Sequence, residues 1–131
     1  MARKKTILII DDQPSTRLLL AHYLGSYYNV VQKAGAKDAL EFLSNGPETD
    51  VIISDILMPD MTGIEFLSVY QKQRHLKISP VIVLSSVENS AERLKCFKYG
   101  ARDFVTKPFN PEELSELILK NLFPVHYALK W

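Results

Sequence analysis

Short apolar runs recur along the chain and are separated by longer mixed segments. Four runs are β-branched or aromatic and do not alternate with polar residues, which is typical of strands covered on both faces in a parallel sheet. They occupy residues 7–10, 51–53, 81–84 and 104–105. A weaker run at residues 30–31 has polar neighbours and fits an edge strand. The pattern therefore predicts five strands.

The segments between the runs have helical periodicity, with apolar residues three and four apart. The first helix is predicted to begin near Gln13, and its inward face carries Leu20, Tyr23, Leu24 and Tyr27. The fourth is predicted over residues 90–99, with Leu94 and Phe97 facing inward and Cys96 half-buried. The other helices are predicted at residues 36–44, at 62–74 and after an N-cap at Asn110.

The predicted elements alternate, with each strand followed by a helix, five times along 131 residues. Repeated strand–helix units with short connections form a parallel sheet with right-handed crossovers and helices on both faces. The length suits one domain. We therefore expect an α/β, doubly wound fold.

Composition excludes several classes of protein. Cys96 is the only cysteine, so a disulfide scaffold and a zinc site built on paired cysteines are both excluded. The net charge is +1, which gives no general affinity for nucleic acid or for an anionic membrane. No stretch of about 18 apolar residues is present. We expect a soluble, cytoplasmic protein that binds neither membrane nor nucleic acid directly.

Charged and hydroxyl side chains follow four of the predicted strands. Because the carboxyl ends of parallel strands lie at one edge of a sheet, and ligands bind there, we expect these side chains to meet. They are Asp11, Asp12, Asp55, Ser85 and Lys107. Taken singly, each has a plainer explanation, such as a turn, a helix N-cap or a solvated lysine. Their placement at four matching strand ends favours a site.

Three carboxylates at one edge repel one another unless a proton or a cation joins them. Oxygen ligands of this kind suit Mg²⁺, which also binds phosphate oxygens. A carboxylate can attack phosphorus to form an aspartyl phosphate, and Lys107 and Ser85 could then bind the new phosphoryl oxygens. The residues thus indicate phosphorylation of an aspartate.

Four segments together resemble the receiver domain of response regulators in two-component signalling, above all the chemotaxis-type single-domain receivers. The segments are residues 7–12, 54–63, 81–86 and 100–109, and the likeness extends over residues 6–122. The resemblance implies a flavodoxin-like, three-layer (βα)5 fold with strand order 2-1-3-4-5. It also implies a receiver domain at residues 1–122 and a short tail at 123–131, with no output domain.

The resemblance assigns roles at the acidic edge. Asp55 would be the phosphoacceptor, and Mg²⁺, or Mn²⁺ in its place, would be bound by Asp11, Asp12, Asp55 and the backbone carbonyl of Leu57. Asp11 would act mainly through water. The phosphoryl group would be bound by Ser85, Lys107 and the backbone of Ser86.

The resemblance also implies a conformational switch. Ser85 would turn toward the phosphoryl group, Phe104 would rotate into the vacated space, and the surface of the fourth helix, fifth strand and fifth helix would change. From composition alone, Phe104 is a plain core aromatic. Structural roles fall to Pro59, Gly63 and Pro108, and the Lys107–Pro108 peptide bond is expected to be cis.

The implied partners are a histidine kinase or a histidine phosphotransfer protein as donor, and a downstream protein or output domain as target. A homodimer through the switching surface belongs to the same family pattern. Leu18 lies on the side of the first helix away from its inward face. It is either a scattered surface leucine or part of a donor-docking patch.

Single residues argue against two other functions. A magnesium-dependent phosphatase with an aspartate nucleophile carries a second aspartate two residues later, where this chain has Leu57. A flavin-binding module would find its phosphate repelled by Asp11 and Asp12. A fragment of a larger regulator with a DNA-binding or enzymatic output stays open. We expect a signalling receiver that catalyses only its own phosphorylation and dephosphorylation.

Leu57 and Val87 occupy the two positions that flank the path of the hydrolytic water in receivers. Both are apolar in this chain, so neither side chain can orient a water molecule. We therefore expect slow loss of the phosphoryl group.

Overall fold

The computed structural model describes residues 4–73, 77–86 and 89–124. Five strands alternate with five helices. They are β1 (Thr6–Ile10), α1 (Pro14–Leu24), β2 (Asn29–Lys33), α2 (Ala36–Asn45), β3 (Val51–Ser54), α3 (Gly63–Gln71), β4 (Val81–Ser85), α4 (Ser90–Lys98), β5 (Asp103–Thr106) and α5 (Pro111–Leu122). The expectations for Val87, for the helical end near residue 74 and for the tail beyond Pro124 concern positions outside the described residues.

The strands form one parallel sheet in the order β2-β1-β3-β4-β5, which confirms the predicted fold class and strand order. The weak run at residues 30–31 is edge strand β2, and its two valines are half-buried. Within the described residues, no helix has the length and apolar character needed to cross a membrane.

The two faces of the sheet bury separate clusters of apolar residues, and β1 shows why its sequence does not alternate. Leu8 and Ile10 point into a cluster with α2, α3 and α4, whereas Ile7 and Ile9 point into a cluster with α1 and α5. Every residue of β1 is therefore buried. Full burial of one such side chain stabilises the fold by about 1.5–3 kcal/mol.

Two helical patterns predicted more burial than the structure contains. Tyr27 is 74% exposed because α1 ends at Leu24 and Tyr27 lies in the turn that follows. In α4, Leu94 and Phe97 are exposed, and Cys96 is the buried residue of that helix, not a half-buried one. The expected inward face of α4 was therefore wrong, because periodicity places apolar residues on one side without saying which side packs.

Candidate functional site

The carboxyl ends of four strands bring the predicted site residues to one edge of the sheet. Asp11 follows β1, Asp55 follows β3, Ser85 ends β4 and Lys107 follows β5. The first three of these side chains are buried and Lys107 is half-buried, whereas Asp12 is exposed. The short apolar strands thus bring polar groups to the point where the core ends.

Three carboxylates meet at this edge. Asp11, Asp12 and Asp55 each offer one oxygen, and these oxygens all lie within 4.8 Å of one another. All three side chains offer oxygen ligands, which a hard divalent cation prefers. The cluster is open to solvent at Asp12, so such a cation could also keep water or phosphate oxygens as ligands. These residues could therefore hold the magnesium ion that the sequence indicates.

Lys107 supplies the positive charge of the cluster. Its Nζ lies 2.9 Å from Asp11 Oδ2 and 3.5 Å from Asp55 Oδ2, so its nearer partner is Asp11. The Lys107 backbone N–H donates to the carbonyl of Ser85 at 2.7 Å, which ties the end of β5 to the end of β4. The Lys107–Pro108 peptide bond is cis, as expected.

One ammonium group does not neutralise the cluster. Burial raises the pKa of Asp55, and the neighbouring Asp11 carboxylate raises it further. Lys107 and the backbone N–H groups of Ile56 and Leu57 lower that pKa, but they do not outweigh the first two causes. The charged form of such a carboxylate is stabilised when a further positive charge binds beside it.

Asp11 is fixed by contacts on both its side chain and its backbone. Its Oδ1 accepts from the Gln13 N–H at 2.9 Å, so the plainer turn explanation also holds for this residue. Its carbonyl accepts from Arg17 Nη1 at 2.6 Å. Arg17 was not among the site residues predicted from the sequence, although a basic residue on the first turn of the helix after the acidic pair was a signal for it.

The loop after Asp55 turns back sharply on itself. The Gly63 N–H donates to the Ile56 carbonyl at 2.7 Å, and a Cβ at Gly63 would collide with the carbonyl oxygen of Asp55. The turn therefore requires glycine, in keeping with the structural role expected of Gly63. Leu57 is exposed between the buried residues Ile56 and Met58, so core packing holds the backbone on both sides of its carbonyl.

The same loop makes one contact that the sequence analysis missed. Asp60 accepts hydrogen bonds from the first two N–H groups of α2. The partners are more than 20 residues apart along the chain, so no local pattern points to the contact.

Ser85 lies at this edge, at the end of β4, and Phe104 lies further back on the adjacent strand β5. In the register of β4 and β5, Val83 pairs with Phe104 and Ser85 with Thr106. Phe104 is half-buried and packs against the cluster on the α2–α4 face. A cleft of about 360 Å³, lined by Phe104, Arg93 and other residues of the α4–β5–α5 region, lies beside it.

Helix α1 exposes two consecutive leucines next to the site. Leu18 is 62% exposed, as its helical position predicts, and Leu19 is 57% exposed. Leu19 lines an apolar cleft of about 490 Å³ together with Tyr23, Phe109 and Lys107, among others. Leu18 was identified from its helical position, whereas this cleft, which α1 forms with the segment after β5, was not predicted from the sequence.

Comparison with known proteins gives one consistent result. Residues 7–119 match the family described as the response regulator receiver domain. The two-component response regulator ORR5 of Oryza sativa subsp. japonica is 36% identical over 112 residues, which cover 85% of this chain and 84% of that protein. ORR11 of Oryza sativa subsp. indica is 37% identical over 118 residues, covering 88% and 80%.

Solved structures agree. The chemotaxis response regulator CheY4 of Vibrio cholerae superposes with a TM-score of 0.84 at 32% identity, covering 92% of this chain and all of that one. A CheY-like receiver domain protein of Methanospirillum hungatei gives 0.86 at 27% identity, covering 96% and 99%. Receiver domains are signalling proteins and not conventional enzymes. The chain therefore belongs to the response regulator receiver domain family of two-component signalling.

Proposed function

We propose that this receiver accepts a phosphoryl group on Asp55 from a phosphohistidine donor. The observation that supports this proposal most directly is the joint placement of Asp55, Asp11, Asp12 and Lys107 at one edge of the sheet. Asp55 is buried at the base of this cluster, while the exposed Asp12 marks its open side. An incoming phosphoryl group approaching from that side meets the Asp55 carboxylate.

The transfer exchanges one bond to phosphorus for another. A carboxylate oxygen of Asp55 attacks the phosphorus, and a P–O bond forms while the P–N bond to the donor imidazole breaks. The donor nitrogen keeps the electron pair of the broken bond. No further reactant is consumed in this step, although bound Mg²⁺ would be required for it.

The carboxylates of Asp11, Asp12 and Asp55 and the backbone carbonyl of Leu57 would hold Mg²⁺. When bound, the ion neutralises charge on the phosphoryl oxygens and on the carboxylates. Lys107 is already aimed at Asp11 and Asp55 and would bind a phosphoryl oxygen beside them. The Ser85 hydroxyl and the backbone N–H of Ser86 would bind the remaining oxygens.

Mass spectrometry tests the acceptor. The wild type, Asp55→Asn and the matched control Asp38→Asn, which removes an exposed carboxylate from α2, are incubated with MgCl₂ and acetyl phosphate. We expect the wild type and the control to gain one phosphoryl group and Asp55→Asn to gain none. EDTA should abolish the gain. An unmodified wild type, or equal modification of Asp55→Asn, would contradict the proposal.

The phosphoryl group would then bias a switch. Ser85 would turn toward it, and Phe104 would rotate inward from the cleft of about 360 Å³ beside it, changing the surface of α4, β5 and α5. The register that sets Phe104 beside β4 supports this route. That surface would contact a downstream protein, or a second copy of the chain.

Amide chemical shifts test the coupling. Phosphorylation should move the resonances of α4 and β5 in the wild type. In Ser85→Ala, phosphorylation should persist while those shifts shrink. Equal shifts in both proteins would show that Ser85 does not carry the change.

The donor would dock at the exposed leucines of α1. Leu18 lies on the surface of this helix, one residue from the apolar cleft that contains Leu19 and Lys107. A histidine kinase or phosphotransfer protein with an apolar face would match this exposed surface of α1.

The division into a receiver at residues 1–122 and a short tail belongs to this proposal, and so does cytoplasmic action.

A further inference from the structure

Helix α2 has an N-terminus that its own sequence does not cap. Gly35 is the N-cap residue and offers no side chain to the N–H groups of the first turn. An uncapped first turn leaves backbone donors without acceptors unless another group supplies them. Ala36, the first residue of the helix, is buried, so its N–H has little access to water.

The missing acceptor comes from the loop that follows Asp55. Asp60 Oδ1 accepts from the Ala36 N–H at 3.2 Å, and Asp60 Oδ2 accepts from the Lys37 N–H at 2.9 Å. A carboxylate at this end of a helix also interacts favourably with the helix dipole. Burial raises the pKa of Asp60, yet hydrogen bonds from the backbone N–H groups of Lys37 and Ala36, together with those of Asp60 and Met61, hold that pKa below the ordinary range. Asp60 therefore caps α2 in place of a local residue.

The choice of glycine at residue 35 follows from this arrangement. A Cβ at Gly35 would lie 2.8 Å from Asp60 Oδ2 and 3.1 Å from its Cγ. The backbone at Gly35 is extended, with φ −150° and ψ 166°, so glycine is not needed there for its conformation. Space for the Asp60 carboxylate is what excludes a side chain.

This cap also fixes the loop that carries Leu57. The loop is held near its start by the buried side chains of Ile56 and Met58, and near its end by the Gly63 N–H. The bonds from Asp60 to α2 add a third anchor between these two. The Leu57 carbonyl lies within the first anchor, between Ile56 and Met58, and Asp60 follows Leu57 by three residues.

We propose that Asp60 is a positioning residue, which fixes the Leu57 carbonyl relative to the Asp11–Asp12–Asp55 cluster by docking the loop on the N-terminus of α2. The inference rests on the proposed function, because it takes that carbonyl as a cation ligand. Groups that orient a ligand commonly account for about tenfold or more in metal affinity.

The test separates cation affinity from stability in the metal-free protein. Binding of Mn²⁺ is followed by the electron paramagnetic resonance of the free ion, with Mg²⁺ as competitor, and stability by the urea midpoint. Asp60→Ala should lower both the midpoint and, by about tenfold, the affinity. Asp60→Asn keeps one acceptor oxygen and should give an intermediate affinity in a folded protein. Asp38→Ala, in the first turn of the same helix, should leave the affinity unchanged.

The decisive double variant restores a cap on α2 without restoring the contact between the loop and the helix. In the Asp60→Ala background, Gly35→Ser supplies a local N-cap, for which the lost carboxylate leaves room. The urea midpoint should recover while the cation affinity stays low. In the presence of Asp60, the same Gly35→Ser should collide with the carboxylate and lower the affinity.

Recovery of affinity together with the midpoint would overturn the proposal, because Asp60 would then act only through the stability of α2. An Asp60→Ala affinity within about twofold of the wild type would overturn it as well. In both cases cation binding by the wild type, lost in Asp55→Asn, leaves the proposed function standing. A wild type that binds neither ion would overturn both.

Discussion

Polar groups are paired differently at the two edges of the sheet formed by the amino and the carboxyl ends of its strands. At the amino edge, where β1, β3 and β4 begin, donors and acceptors meet: the Thr6 N–H donates to Asp50 Oδ2 at 2.7 Å and the Ser79 N–H to Tyr70 Oη at 2.8 Å. The Ser79 hydroxyl donates to the Thr49 carbonyl. At the carboxyl edge, three carboxylates lie together, and the Lys107 ammonium group contacts two of them, Asp11 and Asp55.

The difference separates structure from function in this fold. Groups at the amino edge are largely satisfied within the protein, with the Thr49 hydroxyl as the buried exception among the described side chains. The carboxyl edge keeps an excess of negative charge that only another positively charged group can balance. The amino edge should therefore respond to mutation through stability, and the carboxyl edge through its response to cations and pH.

The largest effect is expected where the ammonium group that contacts Asp11 and Asp55 is removed. Lys107→Met leaves Asp11 and Asp55 without their cation and should cost about 3 kcal/mol of unfolding free energy in EDTA. Lys120→Met is the matched control, since Lys120 also lies 2.9 Å from an aspartate oxygen, that of Asp103. The side chain of Lys107 is 14% exposed and that of Lys120 is 45% exposed, so the control should cost less than about 1 kcal/mol.

Urea unfolding measures both losses, and added MgCl₂ sharpens the result. The salt should stabilise Lys107→Met more than the wild type, because the cation replaces the missing ammonium group. Similar losses in the two variants would show that the cluster does not depend on Lys107.

A smaller effect is expected at the amino edge. Tyr70→Phe removes the acceptor of the buried Ser79 N–H and should cost about 2 kcal/mol, the desolvation penalty of a buried group without a partner. Affinity for Mn²⁺ should stay unchanged, because Tyr70 lies at the far edge from the carboxylates. Tyr27→Phe, at a 74% exposed tyrosine, should change neither quantity. A loss of cation affinity in Tyr70→Phe would break the separation of the two edges.

The fold and the carboxylate cluster could be predicted from sequence for one physical reason. Strands buried on both faces need uninterrupted apolar residues, as in β1, and a parallel sheet places the residues after such strands at one edge. Asp11 and Asp55 could therefore be assigned to the same site although more than 40 residues separate them.

Other features depend on tertiary contacts that leave no local signal. The helical pattern included Tyr27, but the chain leaves α1 before reaching it. Leu94 has helical spacing yet faces solvent, because the neighbours of α4 decide which side packs. The hydrogen bond that the Ala36 N–H donates to Asp60 joins a helix to a distant loop, and only folding brings them together.

A modest gain in stability is expected when the acceptor loses its charge. The pKa of Asp55 is raised in the folded protein, so the folded state binds its proton more tightly than the unfolded state does. The charged form therefore costs stability, and that cost grows as pH rises from the unfolded-state pKa to the raised folded-state pKa. Asp55→Asn should therefore stabilise the metal-free protein at neutral pH.

Thermal unfolding in EDTA at several pH values checks this prediction. The advantage of Asp55→Asn over the wild type should vanish at a pH below the ordinary carboxyl pKa, where the wild-type side chain is protonated in both states. Asp38→Asn, which removes an exposed carboxylate, is the control and should not be more stable than the wild type at neutral pH. A wild type more stable than Asp55→Asn at neutral pH would mean that Lys107 already compensates the cluster.

The smallest effect on stability is expected on the helix surface that borders the carboxyl edge. Leu18→Asp should change the unfolding free energy by no more than about 0.5 kcal/mol, because the side chain is 62% exposed. It should slow phosphotransfer from a phosphorylated histidine phosphotransfer protein and leave the rate with acetyl phosphate unchanged, since only the protein donor needs a docking surface. Leu94→Asp, at a 61% exposed leucine of α4, should alter neither rate. Equal transfer rates for Leu18→Asp and the wild type would show that Leu18 takes no part in donor docking and that the functional residues lie at the strand ends alone.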